Sequence, residues 1–203
     1  MGCGWRIRQP RGNIMRLTIF AAGALLPLAA CNQGPSTEES ARKTGDIRLE
    51  NASVEEVAKQ ATAADAKTPS QPGQWETGMQ LVALEPGAMP EAIAAKMKED
   101  VGKPPRTERG CRKAEELKPL DVSRLGAMAS GCRFSKYRFV GGKLDAAMEC
   151  ETPMGKAQAS FSGTQTPTAF DLTMTQRQTP TGQTKATSMT VRLTGKRLGE
   201  CKA

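Results

Sequence analysis

The chain has 203 residues, 29 Lys plus Arg against 21 Asp plus Glu, and no histidine. That length suits one modest domain with extensions. Without an imidazole, no Ser-His-Asp or Cys-His nucleophile pair, no histidine general base and no His-ligated metal can be built, and with aromatics at 4% the core must lean on Met, Leu, Val and Ala.

Arg6, Arg8, Arg11 and Arg16 precede or border an uncharged apolar run from Leu17 to Ala30. The run is shorter than the roughly 20 apolar residues that span a bilayer. It has the plan of a secretory signal: basic start, apolar middle, small residues before a cut. Met15-Arg16 would itself make an ordinary start. Leu28-Ala29-Ala30-Cys31 resembles the bacterial lipobox, in which the cysteine is acylated and becomes the first mature residue. The resemblance implies a lipid on Cys31, with an ordinary cleaved signal as the alternative. Asn32 in place of Asp implies, by the same analogy, no inner-membrane retention. Removal of residues 1–30 takes four Arg and no acid, so the net charge falls from +8 to +4. No basic block is interleaved with aromatics, so nothing points to nucleic acid.

Residues 31–70 read as a tether carrying one short helix near 53–66. Ser53-Val54-Glu55-Glu56 fits a capping box, and Val54, Val57, Ala58 and Ala61 give the helix a weakly apolar face. The main domain is expected over 71–203. Trp75, Met79, Leu81 and Ala83 alternate with Glu76, Gln80 and Val82, a half-buried strand. Pro90 can open a helix in which Met89, Ile93, Met97 and Val101 form one stripe, ended by Gly102 and Pro104-Pro105. A short segment around Cys111 and a helical turn near Ala114–Leu117 follow.

From Cys132 onward the pattern is a β-meander, with strands near 132–140, 143–151, 156–164, 168–178 and 184–195. Gly141-Gly142 between alternating runs marks a two-residue hairpin. The expected fold is mainly β with a minor α component: a curved antiparallel sheet of about six strands, one packed helix and two disulfides.

With Cys3 in the signal and Cys31 lipidated, Cys111, Cys132, Cys150 and Cys201 remain, an even number that implies bridges in an exported protein. If Val140 pairs with Lys143 and the alternation holds along the hairpin, Cys132 lies opposite Glu151. The Cys132 and Cys150 side chains then point to opposite faces. This reading favours Cys111–Cys132 with Cys150–Cys201, and crossed pairing second.

Taken together, Gln71-Pro72-Gly73-Gln74-Trp75-Glu76, Arg109-Gly110-Cys111, Gly131-Cys132, Gly141-Gly142-Lys143-Leu144-Asp145, Ser162-Gly163-Thr164 and Gly195-Lys196-Arg197-Leu198-Gly199-Glu200-Cys201 resemble the envelope family called domain of unknown function 3617 (DUF3617), in a lipoprotein version from a Gram-negative bacterium. The resemblance covers about 71–201. It implies export, four paired cysteines and a β-rich domain, and carries no activity or catalytic residue.

Residue chemistry adds little. Glu99-Asp100 and Glu115-Glu116 are adjacent on the chain, so they do not face one another. Lys196-Arg197 with Glu200 reads as the charged end of an edge strand. Met79, Met89, Met97, Met128, Met148, Met154, Met174 and Met189 read as filling for a core poor in aromatics rather than copper(I) ligands, with Met79, Met148, Met174 and Met189 on the inner strand face. Trp75, Tyr137, Phe139, Phe161 and Phe170 are the candidate lining of an apolar groove. No catalytic residue, metal or cofactor is expected. The expected role is a non-catalytic binding or structural module of the envelope, lipid-anchored on the periplasmic side of the outer membrane, whose partner is a membrane together with an envelope protein or an apolar ligand. The alternatives are a carrier holding an apolar small ligand in the sheet's concave face, with Met and Phe lining, and an enzyme of unfamiliar type.

Overall fold

The computed structural model describes residues 37–117 and 131–201, all within one unit, Gly34–Ala203. The signal region, Cys31 and Met128 lie outside the described residues. The elements in order are α1 (Thr37–Thr44), β1 (Ile47–Ser53), α2 (Val54–Asp65), β2 (Gly73–Glu85), α3 (Glu91–Lys98), β3 (Arg106–Arg112), a 3-10 turn (Ala114–Leu117), β4 (Cys132–Val140), β5 (Lys143–Thr152), β6 (Gly155–Thr166), β7 (Ala169–Pro180) and β8 (Thr187–Gly199). The strands form one antiparallel sheet in the order β1-β4-β5-β6-β7-β8-β2-β3. Among the described residues, no helix is long and apolar enough to cross a membrane.

The meander over β4–β8 follows the expected alternation closely. The sheet nevertheless has eight strands rather than about six, and the two additions are its edges. β3 reads RTERGCR and every residue in it is exposed, so it offers no hydrophobic pattern. Its charges suit an edge, where they discourage pairing with another chain. β1 is short, and only Ile47, Leu49 and Ala52 turn inward.

β1 also corrects the tether. From residue 37 the chain is folded: α1, β1 and α2 add an edge strand and a two-helix cover to the sheet. Ser53 caps α2 as its sequence requires, its Oγ accepting from the Glu56 N–H at 3.1 Å. Val54, Val57, Ala58, Ala63 and Ala64 are buried. Ala41 of α1 is wholly buried, Lys59 pairs with Glu38, and Gln60 donates to Thr37 Oγ1.

The packed helix is therefore α2, not the one after β2. In α3 only Ala94 is buried, and Ile93, expected in the buried stripe, is 52% exposed. Met79, expected inside, is 53% exposed. β8 is interior, between β7 and β2, so Lys196 and Arg197 do not end an edge strand.

The core lies at the β1 end. Ile47 and Leu49, Phe134 and Tyr137, and Ala146 and Met148 share the sheet face beneath the two helices. In an antiparallel pair, directly opposed residues share a face.

The disulfides correct the expected pairing: they are Cys111–Cys201 and Cys132–Cys150. The hairpin register starts as expected, with Val140 opposite Lys143 and Tyr137 opposite Ala146. Between Lys136 and Phe134 it shifts by one residue, a β-bulge at Ser135. Past the bulge Phe134 faces Met148 and Cys132 faces Cys150, with Cα atoms 4.0 Å apart. The bulge also puts Phe134 and Tyr137 on one face, where their rings meet edge-on at 5.4 Å. β1 has a matching irregularity. Asn51 takes a left-handed backbone conformation (φ 50°), tolerated by its short polar side chain. Its Oδ1 and main-chain carbonyl accept from the Arg133 guanidinium.

Candidate ligand cavity

A half-open cavity of about 500 Å³ lies between the helical cover and the sheet. This is within the roughly 300–1,000 Å³ usual for small-molecule sites. Its apolar walls are Val57, Ala58, Ala61 and Ala64 of α2, Ile47 of β1, Tyr137 and Phe139 of β4 and Leu144 of β5, with Leu117 and Pro167 from loops. The spacing of Val57, Ala58, Ala61 and Ala64 places them on one helix face, and their small size keeps space open between α2 and the sheet.

One end of the cavity is a knot of turns. Gly141, Gly142, Gln165, Thr166 and Pro167 line it. The Gln165 N–H donates to Gly142 O at 2.7 Å, and the Gln71 N–H donates to Pro167 O at 2.8 Å. A Cβ on Gly142 would lie 2.6 Å from the Gln165 carbonyl oxygen, and the residue has φ 76°, so only glycine fits. The neighbouring turn residue Thr168 accepts from the Arg197 N–H through its carbonyl at 2.8 Å, while Arg197 Nε donates to Pro72 O at 2.7 Å. The Gln71-to-Trp75 opening and the Arg197 ending thus buttress the cavity's end wall.

The polar groups on the cavity are acidic or neutral. Asp46 Oδ1 accepts from the Gly141 N–H at 3.0 Å, and its Oδ2 is 3.8 Å from Arg48. Asp65 accepts from the Ser70 backbone N–H and has no ion pair among the described residues. Burial pushes its carboxyl above the usual 3.8, the hydrogen bond opposing the shift. A raised carboxyl favours the folded state most below the unfolded value, and that contribution is lost as pH rises through the folded one. Burial likewise raises the Tyr137 phenol, whose hydroxyl makes no hydrogen bond among the described residues.

The five candidate groove aromatics separate. Tyr137 and Phe139 line the cavity, and Phe161 packs against the core beside it. Trp75 and Phe170 stack on each other, centroids 6.2 Å apart, and are not part of its lining. Trp75 is 2% exposed and its indole N–H donates to Gln71 O at 3.0 Å, so it is a structural anchor. Among the described residues no methionine lines the cavity, contrary to the Met-and-Phe lining expected of a carrier. Val57, Ala58 and Ala61 are expected from sequence as an apolar helix face but not as cavity lining, and Ala64, Asp46 and Asp65 carry no such signal. A capping box followed by an alanine-rich helix was the available signal.

Elsewhere, Arg192 Nε donates to Asp171 at 2.8 Å on the opposite face of the sheet and holds that carboxyl below its ordinary value. Asp100 is bound by Lys103 and Arg106. Ser40 and Lys43 have Ser-x-x-Lys spacing in α1, but Lys43 pairs with Glu39 at 2.8 Å and neither lines the cavity. Among the described residues no cluster of three or more Cys, Asp or Glu could hold a metal ion.

The fold and cavity define a disulfide-stapled antiparallel β domain with a helical cover over an apolar site. A family profile described as "Protein of unknown function (DUF3617)" matches residues 70–201, and the chain belongs to that family. No curated protein and no solved structure matches it.

Proposed function

We propose that the chain is a non-catalytic binding module of a bacterial envelope, a lipoprotein facing the periplasm that carries an apolar small ligand. The cavity under α2 supports the carrier reading, because its walls are aliphatic and aromatic side chains from four elements. The Leu28-Ala29-Ala30-Cys31 segment supports lipid anchoring, Asn32 supports the outer membrane, and two disulfides favour an oxidising compartment.

Two experiments test these halves. A Cys31→Ser protein is expected to leave the membrane fraction and become soluble in the periplasm; persistence in the membrane pellet removes the lipid anchor from the scheme. The purified Cys31→Ser protein is expected to enhance the fluorescence of a neutral naphthylamine dye. Ala61→Trp, which puts an indole into the cavity, should weaken that binding at least tenfold while the fold is retained by circular dichroism. A wild-type cavity that leaves the dye dark would end the carrier reading, and undiminished binding by Ala61→Trp would move the site elsewhere.

A further inference from the structure

The cavity has a polarity that its apolar walls do not require. α1 ends at Thr44 and α2 at Asp65, and both residues line the cavity. A helix C-terminus carries unpaired carbonyls and about half a negative charge. Two such ends therefore meet at this rim, that of α1 offset by Arg42 and Lys43 in its last turn. Asp46 and Asp65 add two carboxylates. α2 has no basic residue in its last turn, so the carboxylate of Asp65 sits at the wrong end of the helix dipole without compensation from that turn.

The described lining contains no lysine or arginine, although the whole chain is strongly basic. Arg48, near Asp46, and Lys67, whose stem lies beside Gly45, stand outside the lining. Asp46 is thereby partly neutralised, whereas Asp65 is half-buried, accepts from the Ser70 N–H and has no ion pair among the described residues. Tyr137, whose hydroxyl makes no hydrogen bond among the described residues, also lines the cavity.

We infer that the carried ligand is an amphiphile with a hydrocarbon tail and a cationic amine head, the tail lying among Val57, Ala61, Phe139 and Leu144 and the head at Asp65. An ammonium donates hydrogen bonds and accepts none, so it matches a rim of carboxylates and helix carbonyls. A fatty-acid carboxylate or a phosphate head would meet like charge in a partly desolvated site. This inference rests on the carrier reading and specifies the ligand's head group.

The test uses the Cys31→Ser chain and the neutral dye, displaced by straight-chain alkyl compounds of equal length kept below their micelle concentrations. The alkylammonium ion is expected to displace the dye at a concentration roughly tenfold below that of the alkylcarboxylate, a charge-assisted contact being worth about one power of ten. Asp65→Asn keeps the acceptor for Ser70 and removes the charge. With each protein referred to its own dye affinity, Asp65→Asn should hold or raise the melting temperature and reduce the cation preference to about twofold. Equal displacement by the two chains, or an unchanged preference in Asp65→Asn, overturns the inference while leaving the carrier reading intact. Failure of the dye to bind overturns both.

Discussion

Removing the Cys111–Cys201 bridge by paired serine substitution is expected to destabilise the domain by about 4.6 kcal/mol, the loop-entropy value for a closed loop approaching 100 residues. The sequence separation is 90, against 18 for Cys132–Cys150, for which the same reasoning gives about 3 kcal/mol. Geometry adds to the effect. β3 and β8 flank β2 on opposite sides, so a Cα separation of 5.5 Å requires the chain after Gly199 to bend across β2 toward β3. The bridge thus holds the wholly exposed edge strand to the chain's far end. The loss should appear as a lower urea midpoint, with β3 the first strand to exchange its amides. Peptide mapping of the unreduced protein should recover Cys111 linked to Cys201 and Cys132 linked to Cys150; a peptide joining Cys111 to Cys132 would refute the bulged register.

The second large effect is expected at Trp75. Truncation of a buried tryptophan costs about 3–5 kcal/mol, and here the indole is 2% exposed, stacked on Phe170 and hydrogen-bonded to Gln71. Trp75→Ala should therefore lower stability by about 4 kcal/mol, read by circular dichroism in urea. The anchor depends on a vacancy across the sheet. Gly195 is opposite Phe170, and a Cβ on it would lie 2.1 Å from the ring. Gly195→Val should displace Phe170 and reproduce part of the loss, about 1–3 kcal/mol. A Trp75→Ala midpoint within error of wild type would show that the stack contributes nothing.

The meander was legible because its sequence alternates, and β5 and β6 carry that alternation into a wet and a dry side, whereas β7 is half-buried on both faces over Ala169–Gln176. The Gly141-Gly142 turn likewise set the start of the β4–β5 register correctly. Alternation does not register an added residue, so the Ser135 bulge was invisible and the disulfide pairing inferred beyond it failed. The spacing of Phe134 and Tyr137, two rings three residues apart yet on one face, is its trace. β3 was illegible because an exposed edge needs no apolar residue. α1 and β1 were read as tether because their polar faces outnumber the few inward positions, Ala41, Ile47, Leu49 and Ala52. Of the candidate site, Tyr137 and Phe139 were visible as aromatics; the cover was not, because alanines signal a helix without signalling what it encloses.

The family portion begins at residue 70, whereas α1, β1 and α2 end at Asp65. The cavity is therefore built from residues inside the family match and residues that precede it. The stapled sheet supplies the floor and end wall, and a preceding segment of 29 residues, Thr37 to Asp65, supplies the roof and Asp65 itself. Neither disulfide reaches that segment. A relative sharing only the sheet would share the staple and the tryptophan anchor without the roof of the cavity. That segment also carries Ile47, Leu49, Val54 and Val57 of the hydrophobic core, so the same stretch that roofs the cavity completes the packing of the sheet.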